Sequence, residues 1–447
     1  MTRLSAPFPR PVDLVIDARW IVPVEPADVV LEKHSLVMDK GSIVDLLPTP
    51  EAGTRYAGSE HLRLDKHVLI PGLVNLHTHA AMALLRGYAD DMPLMRWLHE
   101  RIWPAEGRHV SPAFVHDGTL LACWEMLRGG ITCFNDMYFF PEDAARAALS
   151  AGIRAALGIT VFEFPSAYGT GPADYLDKGL RARAALRDEA LISFCLAPHA
   201  PYTVADATFA RVGAIAREID APIHIHVHET TDEIAGSLKE HGVRPLARLE
   251  RLGLLDARLI AVHAVHLETD EIAGLAERGC HVAHCPTSNM KLASGIAPVG
   301  PMLERGLSVG LGTDGAASNN RLDLFQEMRH AALLAKVAGG DAALLPAHRA
   351  LRMATLDGAR ALGLERKTGS LAVGKAADLC AVRLDDWLLQ PCYDPVSHLV
   401  YAAGRETVDH VWVAGKQRIR DGAPVGLDGG ALLDKIKMWQ NALTDRN

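Results

Sequence analysis

Two histidines one residue apart, His77 and His79, close an apolar run that begins at Val68. An extended strand sends alternate side chains to one face, so both imidazoles project together. Two imidazoles side by side at a strand end make half of a metal site. Further along stand His199, the alternating trio His224, His226 and His228 followed by Glu229, then His263, His284 and Asp314. Three imidazoles and a carboxylate suit a catalytic zinc or iron and leave a position for water. The candidate ligands are His77, His79, His226 and Asp314. Alternation puts His224, His226 and His228 on one face, so spacing alone does not choose among them.

A divalent cation lowers the pKa of a water it binds towards about 7, and hydrolytic attack then needs a proton acceptor and a donor. Asp314 can accept from that water, and His263 can hold it from the other side. Glu229, three residues beyond His226, is placed to protonate a ring nitrogen of a substrate. A two-metal site would call for a bridging group, often a lysine on the fourth strand. The stretch 191–199 has none, so one metal is expected. Taken singly these signals are weak. A lone His-x-His is a short motif, and Gly312-Thr313-Asp314-Gly315 has turn composition. His199, His224, His228 and His284 individually suit structural roles better than ligation. Their order weighs against chance, because each falls at an expected strand end.

The elements that must position these groups read as a repeating pattern. Strand candidates run over 73–77, 132–137, 154–161, 191–197, 222–228, 259–263, 281–285 and 308–312. Helical stretches lie between them, among them 112–128, 205–218 and 269–278. Eight such units in about 250 to 300 residues predict an α/β fold of the (β/α)8 barrel type, with catalytic groups at the C-terminal strand ends. A doubly wound open sheet is the alternative, but no Gly-x-Gly-x-x-Gly follows the first strand. Short strands before residue 66, with a hairpin turn at Asp39-Lys40-Gly41, and similar ones near 377–382 and 408–413 predict a small β-sandwich built from both chain ends. The expected division is sandwich over 1–66, barrel over 67–366, sandwich again over 367–425 and a C-terminal helix over 426–447.

Of the 447 residues, 49% are hydrophobic and 22% charged, ordinary for a globular protein; the formal net charge of -8 argues against nucleic acid or anionic membrane as partner. No run reaches the roughly 18 apolar residues of a membrane span. Met1 to Pro11 lack the apolar core of a secretory signal. Seven scattered cysteines without a Cys-x-x-Cys point to a reducing cytoplasm. The His-x-Glu with Pro-Cys-x-x-Cys of base-flipping deaminases is also absent.

Four segments, 71–79, 226–230, 261–267 and 312–315, resemble successive signatures of the amidohydrolase superfamily. Within it, Met82–Gly87, Ala197–Tyr202, Pro286–Leu292 and Gly315–Asn320 resemble the methylthioadenosine/S-adenosylhomocysteine deaminase group, and the resemblance spans nearly the whole chain. It implies the barrel-plus-sandwich fold and one divalent metal, usually zinc, with iron or manganese compatible with the same ligands. It selects His226 among its neighbours through the spacing His-x-x-Glu-Thr. It gives Glu106 the ribose hydroxyls and His199 a second ribose-side contact. It further implies hydrolytic deamination of a purine nucleoside and a homo-oligomer, dimer or higher. Guanine, cytosine or s-triazine rings are the alternative substrates, and a catalytically silent binding protein would be expected to have lost ligands. Core packing is expected for most of Trp97, Trp103, Met137, Tyr138 and Phe139. One departure concerns the substrate's tail. Members that accept S-adenosylhomocysteine resemble one another in carrying arginines around the end of strand three. Here 161–180 contains only Lys178 as a cation. An unpaired carboxylate in a pocket is costly, so methylthioadenosine, with adenosine second, is expected over S-adenosylhomocysteine.

Overall fold

The computed structural model describes residues 9–444; the extreme ends of the expected first and last segments, 1–8 and 445–447, lie outside them. The chain opens with β1 (Arg10–Ile21), β2 (Leu31–Asp39), β3 (Ser42–Pro48) and β4 (Tyr56–Pro71). Eight barrel strands follow: β5 (Leu73–Thr78), β6 (Ile131–Asp136), β7 (Arg154–Val161), β8 (Ile192–Pro198), β9 (Ile223–Val227), β10 (Leu259–His263), β11 (His281–His284) and β12 (Ser308–Leu311). The chain then returns through β13 (Leu379–Arg383), β14 (Val408–Val413), β15 (Lys416–Arg420) and β16 (Ala423–Pro424), and ends in a helix over Gly429–Thr444.

Strands β5 to β12 pair in sequence order, each with its neighbour in parallel. With helices between them, this is the expected (β/α)8 barrel. Its strands are covered on both faces, which is why they read as nearly continuous apolar runs. Histidines and a carboxylate stand where several strands reach the rim: His77, Asp136, His263 and His284.

The expected sandwich takes the form of one continuous mixed sheet, ordered β16-β15-β14-β13-β4-β1-β2-β3. The two chain ends meet where β4 and β13 pair antiparallel, Leu69 opposite Ala381. The sheet curls so that the β2–β3 turn bonds the segment before β13, with Ile43 N–H donating to Lys375 O at 2.9 Å. That turn and the one after β14 abut. A Cβ on Gly41 would sit 2.7 Å from Ala414 O, and Lys40 and Gly41 both have positive φ, as a primed hairpin turn requires.

The passage from this sheet to the barrel comes at Gly72 rather than at residue 67. The apolar run 68–76 serves two sheets in succession. Gly72 N–H donates to Asp378 O, and the next amide, of Leu73, donates to Gly130 O in the barrel. A side chain at Gly72 would collide with Thr132, so only glycine fits this crossing. The first of the short strands expected before residue 66 is one long strand, β1 (Arg10–Ile21).

Sheet and barrel are also joined by a buried ion pair. Arg154, opening β7, holds Asp378 through Nε at 3.1 Å and NH2 at 2.9 Å, with side-chain exposures of 3% and 0%. Asp378 also accepts from Ala414 N–H at 2.7 Å. Removing one partner strands the other's charge. Asp378→Asn is therefore expected to lower unfolding free energy by about 3 kcal/mol or more, measured by chemical denaturation, with little effect on the rim.

Candidate active site

The C-terminal rim brings the expected ligands together. Nε2 of His77 and Nε2 of His79 each lie 3.2 Å from Asp314 Oδ1. Nε2 of His226 lies 3.3 Å from Nε2 of His77. Carbonyls fix the ring protons, since a carbonyl can only accept. His79 Nδ1 donates to Met137 O at 2.6 Å and His226 Nδ1 to His199 O at 2.9 Å. In their neutral forms those two rings turn bare Nε2 lone pairs into the site. They converge with His77 and a carboxylate oxygen in a buried site. Such a donor set, its second ring nitrogens already engaged, fits a divalent cation.

The trio on β9 separates by depth. His226 faces the rim. His224 lies below it, with Nε2 2.9 Å from His77 Nδ1. His228 is past the end of β9, with φ of 57°, and is turned away; its Nε2 accepts from Leu246 N–H at 3.2 Å.

Asp314 is held firmly. Its Oδ2 accepts from Ser288 Oγ at 2.6 Å and Ser318 Oγ at 2.7 Å, and its Oδ1 from Gly315 N–H at 2.8 Å. Burial raises its carboxyl, but hydrogen bonds and charge from His77 and His79 outweigh this and keep it ionised. His263 and Asp314 both have positive φ, 69° and 60°, which turns their side chains into the site from the strand ends. His263 Nε2 stands 3.7 Å from Glu229 Oε2, too long for a hydrogen bond. Burial pushes the Glu229 carboxyl above the ordinary glutamate value. Its backbone is pinned by Glu233, which accepts from His228 N–H at 2.9 Å and Glu229 N–H at 2.8 Å.

These groups floor a cleft of about 680 Å³. Its far wall comes from 94–109, a run of short helical turns folded over the barrel mouth. Glu106 is on this wall and accepts from Tyr138 OH at 2.7 Å; burial pushes its carboxyl up to about 7, against the pull of Tyr138 and His79. His199 stacks on Phe162, ring centroids 4.6 Å apart, and burial holds it neutral, down at about 3. Trp97, Trp103, Met137, Tyr138 and Phe139 all line the cleft, and most are also packed in the buried apolar core as expected. Among the described residues the lining holds no lysine or arginine. Lys178 is engaged elsewhere, donating to Tyr168 O at 2.6 Å and Asp174 Oδ2 at 2.9 Å.

Reasoning from sequence missed the supporting groups Ser288, Ser318, Asn289 and Glu233. Ser288, Asn289 and Ser318 lie in Pro286–Leu292 and Gly315–Asn320, segments that carry the resemblance without a role assigned to them, and Glu233 ends Thr230-Thr231-Asp232-Glu233, a helix-capping pattern in which Thr230 Oγ1 accepts from Glu233 N–H at 3.2 Å.

Comparison with known proteins places this geometry. Residues 68–418 match the model of the Amidohydrolase family. A protein of Teredinibacter turnerae named 5-methylthioadenosine/S-adenosylhomocysteine deaminase is 46% identical over 432 residues, 97% of this chain and 98% of that one. The crystal structure of an adenosine deaminase from Xanthomonas campestris with bound zinc superposes with a TM-score of 0.96 at 47% identity, covering 97% of this chain and 99% of that one. A triazine hydrolase variant superposes at 0.87 with 24% identity over 95% of this chain and 99% of its own, a likeness of fold alone.

Proposed function

This chain belongs to the amidohydrolase family, and from that membership and its cleft we propose that it is a metal-dependent hydrolytic deaminase of adenine nucleosides, with 5′-methylthioadenosine the preferred substrate. The observation that carries the reading is the convergence of His77, His79, His226 and Asp314 beside Glu229 and His263, with Glu106 across the cleft. His77, His79, His226 and Asp314 would hold one divalent ion, zinc before iron or manganese, which would lower the pKa of water there towards about 7.

The chain's own groups then divide the proton work. Glu229, whose carboxyl is raised by burial, gives its proton to N1 of the purine. That makes C6 electron-poor. Asp314 and His263 take the proton from the attacking water as its oxygen bonds C6. The proton they took passes to N6, the C6–N6 bond breaks with loss of ammonia, and the remaining hydroxyl proton returns to Glu229, leaving a 6-oxopurine. His79 and His226 keep their Nδ1 protons on their carbonyl partners.

Glu106 accepts the two ribose hydroxyls, and His199 makes a second contact on that side. The aromatic and apolar wall suits a methylthio tail. A lining without lysine or arginine leaves the carboxylate of S-adenosylhomocysteine unpaired, which disfavours that substrate. The enzyme is proposed to be cytoplasmic and homo-oligomeric; all seven cysteines are free, which suits a reducing compartment, and among the described residues no helix is long and apolar enough to cross a membrane.

A substrate panel tests the reading. Methylthioadenosine, adenosine, S-adenosylhomocysteine, guanine, cytosine and an s-triazine are offered to the zinc-loaded protein, and kcat/KM is expected to fall in about that order. Faster turnover of a free base or a triazine than of either nucleoside would contradict it.

The Glu106 assignment carries its own pH dependence. Only the ionised carboxylate accepts from both hydroxyls, and its pKa is raised to about 7. KM for the nucleoside is therefore expected to rise as pH falls through about 7 and to level off above it. Glu106→Gln should raise KM about 10-fold or more, the worth of a charged hydrogen bond, and remove the pH dependence of KM. Steady-state kinetics from pH 5.5 to 9 measure both.

A further inference from the structure

The helix Pro286–Lys291 sends two adjacent side chains toward the chemistry. Ser288 reaches Asp314, as described above. Asn289, 1% exposed, turns to His263 instead, its Oδ1 2.9 Å from His263 Nδ1. We infer that Asn289 is a positioning residue that fixes the tautomer of His263, and through it the direction of proton flow. The inference rests on the deaminase reading for its consequence, but not for the tautomer itself.

An amide oxygen can only accept, so the proton between these two residues sits on His263 Nδ1. The far nitrogen, Nε2, is then a bare acceptor facing the cleft, 3.7 Å from Glu229. With the tautomer reversed, Nε2–H would be a second donor beside a protonated Glu229. The site would hold two donors and one fewer base for the water proton. The acceptor oxygen of Asn289 is thus what separates the two roles, His263 as acceptor and Glu229 as donor.

Two further observations support a built contact. The helix is anchored on both sides of Asn289: its N–H donates to Cys285 O at 3.0 Å, and its carbonyl accepts from Ser294 N–H at 2.8 Å. Its Nδ2 has no partner, although buried side-chain amides are normally satisfied. The amide's N–H donors thus go unused here, while its oxygen is engaged. An aspartate offers the same acceptor oxygen, whereas leucine fills similar volume with no acceptor.

The test combines a spectrum and two variants. In zinc-loaded protein labelled with ¹⁵N-histidine, the long-range ¹H–¹⁵N spectrum, with His263 assigned by its loss in His263→Gln, is expected to show His263 protonated at Nδ1. This needs no substrate, so it stands or falls apart from the deaminase reading. Asn289→Leu is expected to retain one zinc per chain and KM within about threefold while kcat drops about 100-fold, the lower end of the worth of positioned acid–base catalysis. Asn289→Asp is expected to restore most of that loss. An Nε2-protonated His263 in the parent protein would overturn the inference, whether or not the leucine variant folds. So would an unchanged kcat in Asn289→Leu, or an Asn289→Asp as slow as the leucine variant.

Discussion

Glu229→Gln is expected to keep its metal and lose at least about 10³-fold in kcat, within the range that a positioned general acid contributes. The side chains have nearly the same shape, so the pocket, 7% exposure at this residue and all, has no reason to reorganise. None of the four ligands is Glu229, so metal content should match the parent. What changes is acidity, because a carboxamide does not release a proton to N1. The parent's pH profile should show the same group. Burial raises its pKa, and the protonated form is the active one, so activity falls as pH rises through that raised value. That limb lies above the pH where an ordinary glutamate ionises, and it should be missing from whatever activity Glu229→Gln retains. Comparable turnover in the variant would remove Glu229 from the role of acid.

Metal removal is the second large effect. Dialysis against a chelator should abolish turnover, and about one equivalent of zinc per chain should restore it. The reason lies in the donor atoms. Without a cation, His77, His79, His226 and the Asp314 carboxylate contact only one another, and nothing lowers the pKa of the attacking water. The protein should nevertheless stay folded, because the ligands stand on barrel strands whose stability comes from a large apolar core. Far-ultraviolet circular dichroism of the stripped protein should therefore match the parent. Full activity in metal-free protein would refute the assignment, and so would a requirement for two equivalents.

Much of this site was legible in the sequence because a parallel barrel writes its rim plainly. Covered strands are apolar, so a histidine or aspartate at the end of such a run stands out, and His77, His79, His263 and Asp314 all did. Alternation could not choose among His224, His226 and His228, which share parity. The choice depends on depth, with His224 below the rim and His228 beyond the strand in a left-handed turn. Glu106 left no physical trace of its own. It lies in a broken run of short helical turns, and only the folding of that run across the mouth brings it to Tyr138. Asn289 and Ser288 act on His263 and Asp314 from 26 residues away in the chain, a distance no local pattern records. The step between sheets at Gly72 was hidden because one apolar run feeds both.

The most direct measurement follows ammonia and the loss of adenine absorbance together while zinc-loaded protein is incubated with 5′-methylthioadenosine. The account predicts one ammonia released per nucleoside consumed, with methylthioinosine as the product and the thioether and ribose intact. No ammonia from zinc-loaded protein, or loss of the nucleoside with free adenine as the product, would contradict it.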